Sequence, residues 1–252
     1  MPRVVVWFSC GAASAYATFL AKEKYGDINA VYCRVRNEHP DNMLFLKEFQ
    51  RKTNIHIDVI ENKKYKGDIF NVFRERKYIK SPRYGAPCTM FLKRQMRHNY
   101  QRPDDIQIFG FPKGEEDRVD KLLDNEPDLK LDDILIDNNI TKKDCTDWLT
   151  TQGYTMPTMY SLGYSNNNCV GCVKGSMGYW NAIRKDFPEE FNRMAKLERE
   201  LNFSINKDKN GRVFLDELEP NRGNFKRDMP ESCSFLCGYE NPITNNEEIK
   251  GE

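Results

Sequence analysis

Cysteines are the residues of this 252-residue chain with the clearest capacity for chemistry, and there are eight of them. Cys169 and Cys172 form a knuckle, Asn168-Cys169-Val170-Gly171-Cys172-Val173-Lys174-Gly175. Cys-x-x-Cys lets two thiolates reach one metal centre from a tight turn, with Gly171 relieving the backbone. A closed site needs about two more ligands, and the candidates are Cys88 with Cys237 or Cys233. Four sulfur ligands suit zinc or an iron–sulfur cluster, and spacing does not separate them. A redox dithiol without metal is the remaining alternative. Cys33 and Cys145 sit in apolar strand and helix patterns and read as core thiols.

A second constellation opens the chain. Val4-Val5-Val6-Trp7-Phe8 reads as a buried strand, Ser9-Cys10-Gly11-Ala12-Ala13-Ser14 as a small-residue turn, and Ala12 to Lys24 as a helix. Such a turn presents free backbone amides to an anion. Ser9 and Ser14 add hydroxyl donors, while Gly11, Ala12 and Ala13 let phosphate oxygens approach the backbone. The turn lacks the Gly-Lys-Ser or Gly-Lys-Thr of the common ATPase loop. Cys10, at a helix N-terminus, is either a thiol of lowered pKa or a small residue that fits the turn; the second reading is preferred.

The elements that position these residues alternate. Further strands are expected at Ile28 to Val35, Ile55 to Ile60, Ile106 to Phe109 and Ile134 to Ile136, with helices at Asn42 to Thr53 and Thr141 to Gln152. Alternation of this kind implies a Rossmann-like parallel α/β sheet covered on both faces. The division expected is a nucleotide-binding core over 1–160 and a cysteine-rich C-terminal extension over 161–252. In the extension a helical stretch runs from Gly178 to Leu201, restarted at Pro188, and a hairpin turns at Asn210-Gly211. The tail after Asn241 is polar and reads as disordered.

Composition narrows the class. Hydrophobic residues make up 39% and charged residues 31%, as in a globular chain with one substantial core. No apolar run is long enough for a membrane span, and Val4 to Phe8 is too short for a signal-peptide core. A cytoplasmic location is expected, where thiols stay reduced. The net charge of +1 hides an asymmetry. Lys63 to Arg97 holds eleven Lys and Arg against two acids, and Glu115 to Asp137 ten acids against three bases. The basic 63–97 region is a candidate nucleic-acid surface; two oppositely charged solvated faces are the plainer alternative.

The turn resembles the PP-loop, Ser-Gly-Gly-x-Asp-Ser, of the adenine-nucleotide alpha-hydrolase superfamily, with Cys10 for the first Gly and Ala13 for the Asp. Over roughly residues 4–202 the chain is similar to the phosphoadenosine phosphosulfate (PAPS) reductase family. The carriers are the loop, Asn37-Glu38-His39-Pro40-Asp41-Asn42, Pro87-Cys88-Thr89-Met90-Phe91-Leu92-Lys93-Arg94, Gly110 with Glu115 and Arg118, and Tyr160 to Gly175 with Gly178-Tyr179-Trp180. The last is the most specific.

The resemblance implies an adenine nucleotide, ATP or a sulfonucleotide, at residues 9–14, with Mg a possible companion. It also implies a four-iron four-sulfur cluster, zinc being the alternative, and a sulfur or electron donor as partner. Catalytic roles fall on His39, Lys93, Arg94, Glu115 and Arg118. Sulfonucleotide reductases end in Glu-Cys-Gly-Leu-His, which Leu236-Cys237-Gly238-Tyr239-Glu240 echoes only at Cys-Gly. Two chemistries fit: thiol attack on a sulfonucleotide, or adenylation by ATP followed by thiolation. A non-catalytic nucleotide- or nucleic-acid-binding module with a structural zinc is the alternative from another class.

Overall fold

The computed structural model describes residues 2–81, 85–233 and 235. Five strands, β1 (Val4–Phe8), β2 (Asn29–Cys33), β3 (Ile57–Ile60), β4 (Ile106–Ile108) and β5 (Lys130–Leu131), form one parallel sheet in the order β3-β2-β1-β4-β5. Every residue of β1 is buried, as its run of valines and aromatics requires of a central strand covered on both faces. The chain winds outward from β1 through β2 to β3, then crosses back to lay β4 on the other side of β1. Loops leaving β1 and β4 therefore diverge, and a crevice opens at the carboxyl ends of these two strands.

One sheet face is covered by α1 (Ala12–Tyr25) and α2 (Asn42–Thr53), whose Ala15, Ala17, Ala21, Phe45 and Phe49 share a core with Val6 and Phe8. Next come α3 (Ile69–Arg76), α4 (Pro87–Thr89), a π-helical turn (Met90–Arg94) and α5 (Gln95–Tyr100). Val5, Trp7, Phe109 and Phe111 on the opposite face meet Val119 and Leu122 of α6 (Glu116–Asn125). The expected strand at Ile134 to Ile136 is instead a short helix, α7 (Ile134–Asp137), and the fifth strand is the two-residue β5 just before it. A three-residue apolar run carries no period that separates the two states. α8 (Lys142–Thr151) starts at a complete Thr141–Asp144 capping box, as its sequence requires.

After α9 (Thr158–Ser161) the chain leaves the sheet, and α10 (Met177–Asp186) ends just before Pro188 opens α11 (Pro188–Glu200). The hairpin β6 (Asn206–Asp208) and β7 (Gly211–Val213) follows where expected, its two-residue turn on Lys209-Asn210, one residue before Asn210-Gly211, because Gly211 already pairs with Asp208. Fully buried Trp180, with Met194 and Leu197, shares one hydrophobic core with Phe70, Phe73 and Leu92. Residues on both sides of the expected boundary at 160 thus belong to the same core. No helix among the described residues is long and apolar enough to cross a membrane.

Candidate active-site cleft

The crevice between β1 and β4 is a cleft lined by Ser9, Gly11, Ala12, Ala13 and Ser14 on one side and by Gly110 and Pro112 on the other. The first-turn amides of α1 have no partner within the helix by geometry, and that of Ala12 donates to the Tyr160 hydroxyl at 3.3 Å. Ser14 Oγ locks the turn: it accepts from the Ser9 amide at 3.0 Å and the Ser9 hydroxyl at 2.9 Å, and donates to Gly11 O at 3.0 Å. Gly110 allows β4 to close on this turn. A Cβ there would stand 2.5 Å from Ser14 N, so only glycine fits without displacing the first turn of α1.

Cys10 does not line the cleft. It takes a left-handed φ of 57°, is fully buried, and burial pushes its thiol pKa well up. It is a packing residue, as preferred from the sequence; its carbonyl accepts from Asn167 Nδ2 at 2.8 Å. The buried Cys33 and Cys145 thiols are each pushed up to about 12, burial being the largest cause.

The floor is a buried polar network. Glu38 is 5% exposed and accepts from Lys93 Nζ at 3.0 Å, from Asn42 Nδ2 at 3.1 Å and from the Tyr32 hydroxyl. The π turn makes this possible by burying three successive side chains, Leu92, Lys93 and Arg94. Widened turns of this kind gather at functional sites. Burial works against the charge of Lys93, but Cys233, Glu38 and Cys169 more than offset it and hold its pKa well above the usual lysine value.

Cys233 completes the cleft opposite the loop. Its amide donates to Asn168 Oδ1 at 2.8 Å, and its sulfur lies 3.9 Å from Thr89 Oγ1, one turn before Lys93. Burial would raise this thiol; Lys93 and Lys174 outweigh burial and lower its pKa. The neighbouring residues are strapped down, with Ser232 O accepting from Arg118 and Lys174 at 3.3 Å each. The three-Asn run does much of the strapping. Asn166 and Asn168 donate to Pro230 O at 3.0 Å and Glu231 O at 2.9 Å, while Asn167 ties Cys10 to Asn42.

Of the residues expected to be catalytic, Lys93 and Glu115 line the cleft. Arg118 pairs with Glu115 and reaches Ser232, bracing the rim. Arg94 donates to Phe235 O at 3.1 Å. His39 is not among the cleft residues: it pairs with Asp41 at 2.7 Å and rests edge-on against Phe187, while Asp41 accepts from the Thr158 amide. Its place after β2 suggested a ligand, but β2 is not at the switch point. Sequence reasoning gave no site role to Tyr160, which touches the loop, and missed Lys142, which lines the rim and donates to Asn166 Oδ1 at 2.6 Å. Burial lowers the Lys142 pKa.

The cysteines gather only in part. Cys169 and Cys172 are buried on the knuckle, where Gly171 adopts φ 73°, and Glu38 bridges to Cys169 through the backbone. Cys88 sits on α4, and Cys237 lies outside the described residues. Among the described residues no three His, Cys, Asp or Glu side chains are grouped to hold a metal ion. Of the eleven basic residues of the 63–97 region, Lys93 and Arg97 are buried against Glu38 and Glu126, while Lys64 and Arg74 pair with Glu75 and Glu200 at the surface.

Fold and cleft together define an α/β protein with a five-stranded parallel sheet and a cleft at its switch point. The chain matches no protein-family model, no curated protein and no solved structure.

Proposed function

We propose that this chain is a PAPS-reductase-like PP-loop enzyme that binds an adenine nucleotide in the cleft and acts in sulfur transfer or reduction. The observation that carries the reading is the placement of Cys233 and Lys93 in one cleft with the turn Ser9–Ser14. Phosphate oxygens take the amides of the first turn of α1, and Lys142 neutralises charge at the rim. In the reductive arm the Cys233 thiolate attacks the sulfur of a sulfonucleotide. The bond from that sulfur to the bridging oxygen breaks, and its electron pair leaves on the nucleotide phosphate. An external dithiol then attacks the Cys233 sulfur, releasing sulfite and leaving a mixed disulfide that its second thiol resolves. In the other arm a substrate oxygen attacks the α-phosphorus of ATP and pyrophosphate leaves; hydrosulfide from an external sulfur donor then attacks the adenylated carbon, the carbon–oxygen bond breaks and AMP leaves. The missing loop Asp, replaced by Ala13, favours the arm that needs no ATP cleavage.

Assays on the full chain separate these arms. Sulfite release from PAPS or adenylylsulfate with a dithiol, abolished in Cys233→Ser, supports the first; ATP-dependent pyrophosphate release supports the second. Nucleotide binding without either identifies a binding module, and no adenine-nucleotide binding contradicts the reading. An iron–sulfur or zinc centre on Cys169 and Cys172 would draw its further ligands from Cys88 and from Cys233 or Cys237, and a Cys233 that ligates metal would not also be the nucleophile. Metal and acid-labile sulfide analysis after anaerobic purification, compared with a Cys169→Ala, Cys172→Ala double variant, tests it.

A further inference from the structure

Three hydroxyl side chains surround the first turn of α1 in the cleft, those of Ser9, Ser14 and Tyr160. Two of them spend their protons inside the turn: the Ser9 hydroxyl donates to Ser14 Oγ at 2.9 Å, and Ser14 Oγ donates to Gly11 O at 3.0 Å. The Tyr160 hydroxyl differs. It accepts from the Ala12 amide at 3.3 Å, and its own proton meets no acceptor among the described residues. Burial raises the phenol pKa, partly offset by the Ala12 and Asn167 amides that point at its oxygen, so the proton stays in place at neutral pH. A Cβ on Gly11 would lie 3.4 Å from that oxygen, which sets the phenol directly over the turn. Tyr160 is also fixed from both sides. At the start of α9 the Thr158 amide donates to Asp41 at 2.7 Å, and beyond α9 the Asn167 side chain donates to Cys10 O and to Asn42 Oδ1. A hydroxyl held this way is preorganised and needs no reorganisation when a ligand arrives.

We propose that Tyr160 is a ligand-contacting residue of the cleft: when a phosphate takes the first-turn amides of α1, the phenol donates its proton to a phosphate oxygen. The inference rests on the reading of the cleft as a nucleotide site, and adds to it a neutral donor that selects for the phosphate. A phenol over a helix N-terminus can also act as a neutral stand-in that merely fills the anion place. That role uses only a lone pair of the oxygen and leaves the proton unpaired. Donation uses both: the oxygen satisfies the Ala12 amide in the empty cleft, and the proton is taken up once phosphate oxygens accept from that amide instead. The hydrogen bond forms without proton transfer, because the raised phenol pKa lies far above that of a phosphate.

Tyr160→Phe removes the hydroxyl and keeps the ring. Calorimetry on the full chain compares AMP, adenosine and inorganic pyrophosphate in the wild type and the variant, and urea unfolding checks that the variant is folded. AMP should bind about tenfold or more weakly to Tyr160→Phe, the worth of a hydrogen bond to a charged group, and adenosine, which lacks the phosphate, equally to both. An equal loss for AMP and adenosine makes Tyr160 a packing residue and overturns the proposal. Unchanged or tighter AMP binding makes the phenol a mere stand-in for the anion and overturns it as well. Failure of the nucleotide reading is separable. If the wild type binds pyrophosphate but no adenine nucleotide, that reading falls, and a loss of about tenfold for pyrophosphate in Tyr160→Phe still supports the phenol as a donor. If the wild type binds none of the phosphate compounds, both fall.

Discussion

Gly110→Ala should damage both the fold and the cleft, by an amount that follows from the closeness of β4 to α1. The new Cβ would meet Ser14 N at 2.5 Å, Ser14 Cα at 2.7 Å and Ala13 C at 2.9 Å. All three are backbone atoms in the first turn of a helix, so no side-chain rotation relieves the clash. Ordinary contact begins near 3.4 Å, so the turn must retreat by about 0.9 Å. Overpacking of this kind costs about 1–3 kcal/mol. The same shift moves the Ser14 amide away from the anion position and loosens its hold on Ser9. Hydrogen bonds to a charged partner are worth about 1.5–3 kcal/mol each, so losing one weakens adenine-nucleotide binding about tenfold or more. Urea unfolding reads the first effect and calorimetry with ATP or PAPS the second. Gly11→Ala is the control: its backbone is extended at φ −98° and its Cβ would meet nothing closer than 3.4 Å. Wild-type stability and affinity in Gly110→Ala would refute the argument from close approach.

Other expectations follow from buried charge. Glu38 and Lys93 form a pair with side chains 2% and 9% exposed; Glu38→Gln and Lys93→Met should each cost about 3–5 kcal/mol, and the double variant much less than their sum in a double-mutant cycle. Fully buried Glu198 accepts from the Ile205 and Leu215 amides, yet burial raises its pKa from 4.5 to about 7. The folded state then holds a proton that the unfolded chain has released, so stability should fall as pH rises from about 4.5 to about 7. Glu198→Gln should flatten that slope in pH-dependent unfolding, and an unchanged slope would count against it. Under native conditions at neutral pH, iodoacetamide should label Cys233 before Cys10, Cys33 or Cys145, and Lys174→Met should slow the labelling; early labelling of Cys10 would contradict its burial.

Much of the sheet was legible because its signals are periodic or local. The valine run of β1, the capping box at Thr141, Pro188 and Asn210-Gly211 each act within a few residues. Ile134–Asp137 was misread because three apolar residues fit strand and helix alike. The turn after β1 could be seen through its small residues, whereas the reason for Gly110 could not: its neighbour Ser14 lies far away in the chain. Likewise His39 looked more chemical than Glu38, yet Glu38 faces Lys93 and His39 faces Phe187. Which way successive side chains point depends on tertiary packing. The three-Asn run carried a usable signal, since adjacent amides outside any helix or strand must find partners, but the sequence did not say that these would be Cys10 and the 230–233 segment.

The central claim, that an adenine nucleotide occupies the cleft at the turn Ser9–Ser14, is tested most directly by calorimetric titration of wild type and Gly11→Leu. A Cβ at Gly11 points toward Tyr160 and Ser9, at 3.4 and 3.5 Å, so a leucine there fills the anion position from a surface turn and leaves the core untouched. The account predicts saturable binding of ATP, PAPS or adenylylsulfate by the wild type and its loss in Gly11→Leu, with the unfolding midpoint retained. Equal affinity in the two proteins, or no adenine-nucleotide binding by the wild type, would contradict it.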